Sequence, residues 1–435
     1  MDQLRGQRVT VVGLGRFGGG IAVSRWLVEQ GASVLVTDQA KPEALQDSCQ
    51  QLAGVPIQFR LGEHRDDDFT SADLVVASPA VPPDNRYLQM ARQRGVPITT
   101  EIRLFIERCP APILGVTGTK GKSTATAMLG DMLKRRYVTW VGGNMGKSLL
   151  FDLPQITTDH LVVLELSSFM LEYLGETRWS PHVALITMVA IDHIDRHHTF
   201  DNYLEAKKNL VRFQTENDYA VLYEDSDCRT QFASVCKGRV LLYGLKDRKR
   251  FALALPGEHN QLNAQAAFAA ASVMNITWDD AQEAIRNFTG LPHRLQLVHE
   301  HQGVRYYNDS IATIPEAAIA ALESFPPRTV IQIVGGYDKK IPLTSLHAAL
   351  LQRAKMALCI GETGAAIAQA IEPSVGSGGG AEVYNCRDLP TAVRMARQRA
   401  RSGDVVLLSP GCASYGQFRN FEERGDLFTK LVREP

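Results

Sequence analysis

The sequence predicts an α/β protein built on parallel sheets and divided into three domains. Three observations carry that reading. Short apolar runs of strand length alternate with helical patterns along the whole chain, the arrangement that packs parallel strands between covering helices. Two glycine-rich turns, at residues 13–18 and 115–124, each stand between a strand-like run and a helix-like one. The 435 residues correspond to about three domains at roughly 100–200 residues each.

The elements follow in order. Residues 8–13 read as a first strand, 21–30 as a helix, 33–38 as a second strand and 74–78 as a further short strand ending at Pro79. Pro82 and Pro83 mark a loop, and residues 99–101 close the first domain. The second opens with a strand at 113–117, a glycine-rich turn and a helix at 123–134, then continues through strands at 161–166 and 183–188. An alanine-rich helix covers 262–274 and another helix 281–288. Gly290, Leu291, Pro292 and His293 break the periodicity as a linker. Beyond them come strands at 329–334, 356–360 and 405–409, with a Gly/Ser-rich loop at 374–380.

Composition narrows the class. Lys+Arg and Asp+Glu are both 47, so the balanced charge points to neither a nucleic-acid nor an anionic-membrane partner. No apolar stretch approaches the ~20 residues of a membrane span, and the polar start of the chain is unlike a signal peptide. Seven scattered cysteines without a C-x-x-C pair suit a reduced, cytoplasmic protein.

The strongest chemical signal lies between Gly115 and Thr124. Gly118 and Gly121 let backbone N–H groups approach phosphate oxygens, and the helix that follows adds positive potential at its N-terminus. Lys122 is placed to reach the β- and γ-phosphates of a nucleotide, and Ser123 or Thr124 offers a hydroxyl to phosphate or Mg²⁺. The pattern departs from G-x-x-x-x-G-K-[ST] at its first position, where Val116 stands beside Gly115. The earlier turn, Gly13, Gly15 and Gly18 with Asp38 about 20 residues on, has the form of a dinucleotide fingerprint. Its chemistry requires only a phosphate on the helix N-terminus and a donor for the acid, which a UDP-sugar satisfies as well as NAD.

The run from Thr117 to Thr124 is similar to the ATP loop of the Mur ligase family, and further segments extend the likeness in the family's order. They are Val141–Gly146, Glu165–Phe169, Asp192–Arg196 followed by Tyr203–Lys207, Gly257–Asn263 and Gly290–Arg294. Two C-terminal segments, Gly335–Lys339 and Ser409–Gly425, resemble the glutamate-adding branch. The resemblance covers essentially the whole chain. It implies an N-terminal Rossmann-like UDP-binding domain (1–101), a central P-loop ATPase-like domain (102–291) and a C-terminal Rossmann-like glutamate-binding domain (292–435).

It also implies an ATP-dependent ligase of peptidoglycan precursor synthesis, joining UDP-N-acetylmuramoyl-L-alanine to D-glutamate through an acyl phosphate, and working as a cytoplasmic monomer. Positioning and cations dominate such phosphoryl chemistry. By the resemblance, Lys122, His193 and Lys207 are catalytic. ATP is held by Gly118, Thr119, Lys120, Gly121, Lys122, Ser123 and Thr124, with Asn260 and Asn263 at adenine and Arg294 and Asp309 from the C-terminal domain. Two Mg²⁺ ions engage Ser123, Thr124, Glu165, His193 and Lys207, the last carbamylated by CO₂. Tyr203 sits four residues before Lys207, which favours Lys207 over its neighbour Lys208 for that role. Gly15, Arg16, Phe17, Asp38, Gln39 and Ser78 face the UDP end of the substrate, and Asn144 and His193 the muramoyl-alanine end. Thr313, Lys339, Ser414, Tyr415 and Phe421 form the glutamate pocket, Lys339 supplying the charge.

Three positions depart from the family pattern. Ile311 stands where many glutamate-adding members carry lysine, Met170 where glutamine is common, and Phe17 replaces a small hydroxyl residue. They bear on pocket contacts rather than on the reaction class. Addition of L-glutamate or of another amino acid stays open on the sequence, as does, at a greater distance, an NAD-dependent oxidoreductase built on the first glycine turn.

Overall fold

The computed structural model describes residues 4–15, 19–339, 341–371 and 381–434. The candidates Arg16 and Phe17 and the loop at 374–380 lie outside the described residues. The chain divides into two compact units, one of Met1–Arg250 with Leu262–Ile285, the other of Phe251–Gln261 with Arg286–Pro435.

The first unit holds two parallel sheets. Strands β1 (Arg8–Val12), β2 (Ser33–Asp38), β3 (Ile57–Leu61), β4 (Leu74–Ala77) and β5 (Ile98–Thr99) form the first, in the order β3-β2-β1-β4-β5. Val9, Val11 and Val12 of β1 are all buried, as expected for a central strand with both faces covered. The edge strands β3 and β5 are absent from the sequence reading for clear reasons. β3 is half-exposed and carries Gln58 and Arg60, and β5 has two residues.

The second sheet comprises β6 (Ile113–Thr117), β7 (Thr139–Gly143), β8 (Leu161–Glu165), β9 (Val183–Ile186), β10 (Tyr219–Tyr223) and β11 (Arg239–Tyr243), ordered β11-β10-β9-β6-β8-β7 and wholly parallel. β6 lies between β8 and β9, so the phosphate turn leaves the sheet with Glu165 at the end of one neighbour and Thr187 just beyond the other. The predicted helix at 281–288 begins earlier, at Trp278. Thr277 and Asp280 explain the shift. The Thr277 hydroxyl accepts from the Asp280 N–H (3.2 Å) while the Asp280 carboxylate accepts from the Thr277 N–H (3.3 Å), a capping box that starts the helix there.

One apolar core runs through both sheets of this unit. The short helix Glu101–Ile106 buries Ile102, Leu104, Phe105 and Ile106 in a cluster that includes Val11 and Leu27 on one side and Leu150, Val162 and Leu164 on the other. The Tyr173 hydroxyl donates to the Val81 carbonyl (2.7 Å), and Arg92 pairs with Glu176 (2.9 Å) across the same junction.

The second unit has one six-stranded sheet: β12 (Gln296–His301), β13 (Val304–Asn308), β14 (Val330–Val334), β15 (Met356–Ile360), β16 (Glu382–Arg387) and β17 (Val405–Leu408). The order is β12-β13-β17-β14-β15-β16, parallel except for the β12–β13 hairpin. Apolar clusters cover both of its faces. After the edge strand β16 the chain turns back to place β17 beside β14, and the helices that follow these two neighbours pack on opposite faces, a switch point whose carboxyl end is the usual crevice of such sheets. Gly290–His293, read as a linker, forms a tight turn closed by a bridge between Leu291 and Arg294. Among the described residues, no helix is long and apolar enough to cross a membrane.

Candidate functional site

The phosphate turn has the backbone that anion binding needs. Gly118 has φ +152° and Gly121 φ +86°. A Cβ on Gly118 would lie 1.9 Å from Thr187 Oγ1, and one on Gly121 2.3 Å from Asn263 Oδ1, so neither position has room for a side chain. The helix Lys122–Leu133 starts at Gly121 without a side-chain cap, which leaves its first N–H groups for a ligand. Ser123 and Thr124 sit buried in its first turn, and Lys122 Nζ rests 2.9 Å from the Thr119 carbonyl.

Around this turn the fold gathers charged groups that the sequence holds far apart. Lys207 is 1% exposed, and its ammonium position lies 2.6 Å from the Gly118 carbonyl. Burial, reinforced by the Lys122 cation, holds its amine well below the usual lysine range, while Asp192 and Glu165 oppose the shift. Glu165 is 2% exposed. Its Oε1 accepts from Asn144 Nδ2 (3.1 Å), and its buried Oε2 has no hydrogen-bond partner among the described residues. An orphaned carboxylate oxygen beside a phosphate loop fits a divalent cation. His193 adopts a left-handed backbone (φ 51°), with its ring against Phe169 and Tyr203.

A cavity of about 930 Å³ opens beside the loop. It brings together Gly118, Lys122, Asn144, His193 and Lys207 from the second sheet with Gly15, Asp38 and Ser78 from the first. Predicted nucleotide-loop and uridine-end residues thus share one space. Asp38 is committed in part to local structure: its Oδ2 accepts from the Gly15 N–H (3.2 Å) and its Oδ1 from the Ala40 N–H (2.8 Å). Gln39 is exposed and does not line the cavity. Asn263 stands over Gly121, whereas Asn260 donates to the Pro256 carbonyl (2.5 Å).

In the second unit, Asp309 is turned inward. Its Oδ1 accepts from the Leu295 N–H (3.0 Å) and its Oδ2 from the Ser409 hydroxyl (2.7 Å). Burial nevertheless raises its carboxyl to about 7, against the pull of those donors and of Arg294. Asp309 therefore ties the Arg294 turn to β17. At the carboxyl end of the sheet, Tyr337 pairs with Ala413, and the Tyr337 and Tyr415 rings meet at 5.9 Å. Lys339 is exposed and Ser414 is buried nearby in sequence to that bridge.

Sequence reasoning missed several supporting groups. The Tyr203 hydroxyl lies 2.8 Å from Thr119 Oγ1, and its ring sits 4.4 Å from Lys207 Nζ. Burial pushes that phenol up to about 12, so it remains a neutral donor. The four-residue spacing to Lys207 put both on one helical face and was the available signal. Thr187 Oγ1 lies 2.8 Å from the Lys120 carbonyl and pins the turn from β9. Arg424, 1% exposed, donates to Ser310 Oγ (2.9 Å), the Ser310 carbonyl (2.8 Å) and the Cys412 carbonyl (3.1 Å), joining three loops of the second unit.

A parallel sheet that carries a phosphate turn, a buried lysine of lowered basicity and a carboxylate oxygen without a partner among the described residues, in one unit with a second parallel sheet, is the equipment of a nucleotide-dependent ligase. Three family models match in order: the Mur ligase MurD-like N-terminal domain over residues 7–100, the Mur ligase middle domain over 116–253, and the Mur ligase glutamate ligase domain over 293–412. A UDP-N-acetylmuramoylalanine--D-glutamate ligase of Roseiflexus sp. is 44% identical, covering 99% of both chains. The chain belongs to the Mur ligase family. Among solved structures, the fold is similar to a UDP-N-acetylmuramate-alanine ligase from Thermotoga maritima (TM-score 0.63, 21% identity, 98% of each chain). It is also similar to a MurF ligase from Thermotoga maritima in complex with ADP (TM-score 0.58, 19% identity, 99% and 96% of the chains).

Proposed function

We propose that this ligase joins UDP-N-acetylmuramoyl-L-alanine to D-glutamate, with ATP as phosphoryl donor. The observation that carries the reading is the 44% identity to a ligase of that name along 99% of both chains. The geometry agrees with it. One cavity holds a phosphate turn at one end and a second glycine turn with Asp38 at the other, as a uridine-linked carboxyl substrate beside ATP requires. In the first step the substrate carboxylate attacks the γ-phosphorus; the new O–P bond forms as ADP leaves. In the second, the glutamate amine attacks the acyl carbon and phosphate departs. Backbone N–H groups of the turn and the Lys122 ammonium hold the phosphates as charge shifts between oxygens. Asn144 and His193 orient the carboxyl end. Thr313, Lys339, Ser414, Tyr415 and Phe421 receive glutamate, and Arg294 and Asp309 serve ATP.

Mg²⁺, when bound, neutralises phosphate charge. Glu165, through its unpaired Oε2, is the residue best suited to hold it, with Ser123, Thr124, His193 and Lys207 as further candidates. Lys207 is suited to carbamylation because the reaction with CO₂ needs a neutral amine, which its burial beside Lys122 favours. The domain limits 1–101, 102–291 and 292–435 are part of the same reading and are supported by the segments that the three family models match. So is a cytoplasmic location, supported by seven unpaired cysteines; the monomeric state is proposed from the family resemblance alone. The test is product mass from purified protein with ATP, Mg²⁺, UDP-N-acetylmuramoyl-L-alanine and each glutamate enantiomer. A product from D-glutamate alone is expected; product from L-glutamate alone, or none from either, refutes the assignment.

A further inference from the structure

Behind the cavity wall, one carboxylate serves two elements. Glu172 Oε2 lies 2.7 Å from Arg196 Nη2, and its Oε1 lies 3.2 Å from His197 Nδ1. Arg196 in turn donates to the carbonyls of Ala80 (3.0 Å), Val81 (3.4 Å) and Pro79 (3.5 Å), with its guanidinium 4.8 Å above the Phe169 ring. Those carbonyls belong to the loop after β4, where Ser78, Pro79 and Ala80 line the cavity. On the other branch, His197 Nε2 meets Ser168 Oγ at 3.0 Å, and Ser168 and Phe169 line the same cavity from the second sheet's side. Ser168 and Glu172 stand one turn apart on the helix Ser168–Glu176, so one imidazole bridges both. A carboxylate only accepts, so Nδ1 carries the ring hydrogen and Nε2 accepts from the Ser168 hydroxyl.

We infer that Glu172 is a positioning residue for the uridine-linked substrate: through Arg196 it sets the loop at 79–81, and through His197 it sets Ser168, so both walls of the cavity depend on one acid. The inference rests on the proposed function for the identity of that substrate. The serine–histidine–acid order resembles a nucleophilic triad, but two features assign it to positioning. The Glu172 carboxylate is shared with a guanidinium, and Ser168, though it lines the cavity, is only 2% exposed, so its hydroxyl offers little surface to a reacting carbon. None of the three touches the phosphate turn itself, and the nearest link is the His197 ring against Tyr203 (5.2 Å between centroids), whose hydroxyl meets Thr119, so their loss falls chiefly on the uridine-linked substrate.

The test compares wild type, Glu172→Ala, Glu172→Gln and Arg196→Lys, with separate KM values for ATP and for UDP-N-acetylmuramoyl-L-alanine and a thermal midpoint for each protein. Glu172→Ala is expected to raise KM for the uridine-linked substrate at least tenfold and leave KM for ATP within twofold. Glu172→Gln, which keeps an acceptor, is expected to recover part of the loss. Should Glu172→Ala fail to fold, calorimetric titration of Arg196→Lys with the uridine-linked substrate alone is expected to show the same weakening. An unchanged KM for that substrate, a parallel rise in KM for ATP, or unweakened binding to Arg196→Lys overturns the inference. A wild-type protein that makes no product from this substrate refutes the functional reading instead, before any variant is compared.

Discussion

Two buried ionisable side chains, Lys207 and Asp309, have their charge set by burial in opposite directions. Lys207 is held toward its neutral amine by desolvation and by Lys122. Carbon-13 NMR with labelled bicarbonate is expected to show a carbamate signal in the wild type and none in Lys207→Arg, with kcat falling by at least ~10²-fold in the variant, the scale of losing one preorganised charge. A carbamate-free wild type of full activity would refute that role. Asp309 is raised from 3.8 to about 7, so the folded state binds a proton that the unfolded state releases. Stability from this group is therefore full below about pH 4 and declines as pH rises toward 7, by a few kcal/mol at most. Asp309→Asn removes that slope. The difference in denaturation midpoint between Asp309→Asn and wild type is expected to move in the variant's favour between pH 4 and pH 7; a pH-independent difference would show that Asp309 is ionised throughout.

At the scale of elements, the phosphate turn works because β6 is flanked by β8 and β9. Those neighbours bring Glu165 to one side and Thr187 to the other, and Thr187 is what leaves Gly118 no room for a Cβ. Gly118→Ala is expected to lower ATP affinity at least tenfold, because the turn must shift away from Thr187 and its N–H groups then miss the phosphates. Calorimetry with a non-hydrolysable ATP analogue measures it, and the double variant Gly118→Ala/Thr187→Ser, with the hydroxyl retained near the added methyl, is expected not to recover. Undiminished affinity in Gly118→Ala would show that the turn is not the triphosphate site. The helix Lys122–Leu133 contributes without any capping side chain, which would compete with the ligand for the same N–H groups.

Across the molecule, the two sheets of the first unit share a core, so the uridine end of the cavity and the phosphate turn are held in one frame. Phe105, 1% exposed in the helix joining them, belongs to that shared cluster. Phe105→Ala is expected to cost about 3–5 kcal/mol, read as a lowered thermal midpoint, and to weaken the uridine-linked substrate as well; loss of stability without weaker binding would separate the core from the site. Much of this was legible in the chain. Small residues before a lysine and a helix, strands of branched apolar residues and the order of short polar motifs follow from local chemistry, and they determined the α/β class, the three-part order and the phosphate loop. The sequence also marked Lys207 by its spacing from Tyr203. It could not show that Lys207 is buried against Gly118, that Glu165 keeps an unpaired oxygen, that Asp309 points inward, or that Glu172 supports two walls at once. Each depends on contacts between residues far apart in the chain, and burial and electrostatic coupling exist only once the tertiary fold has excluded water from between them.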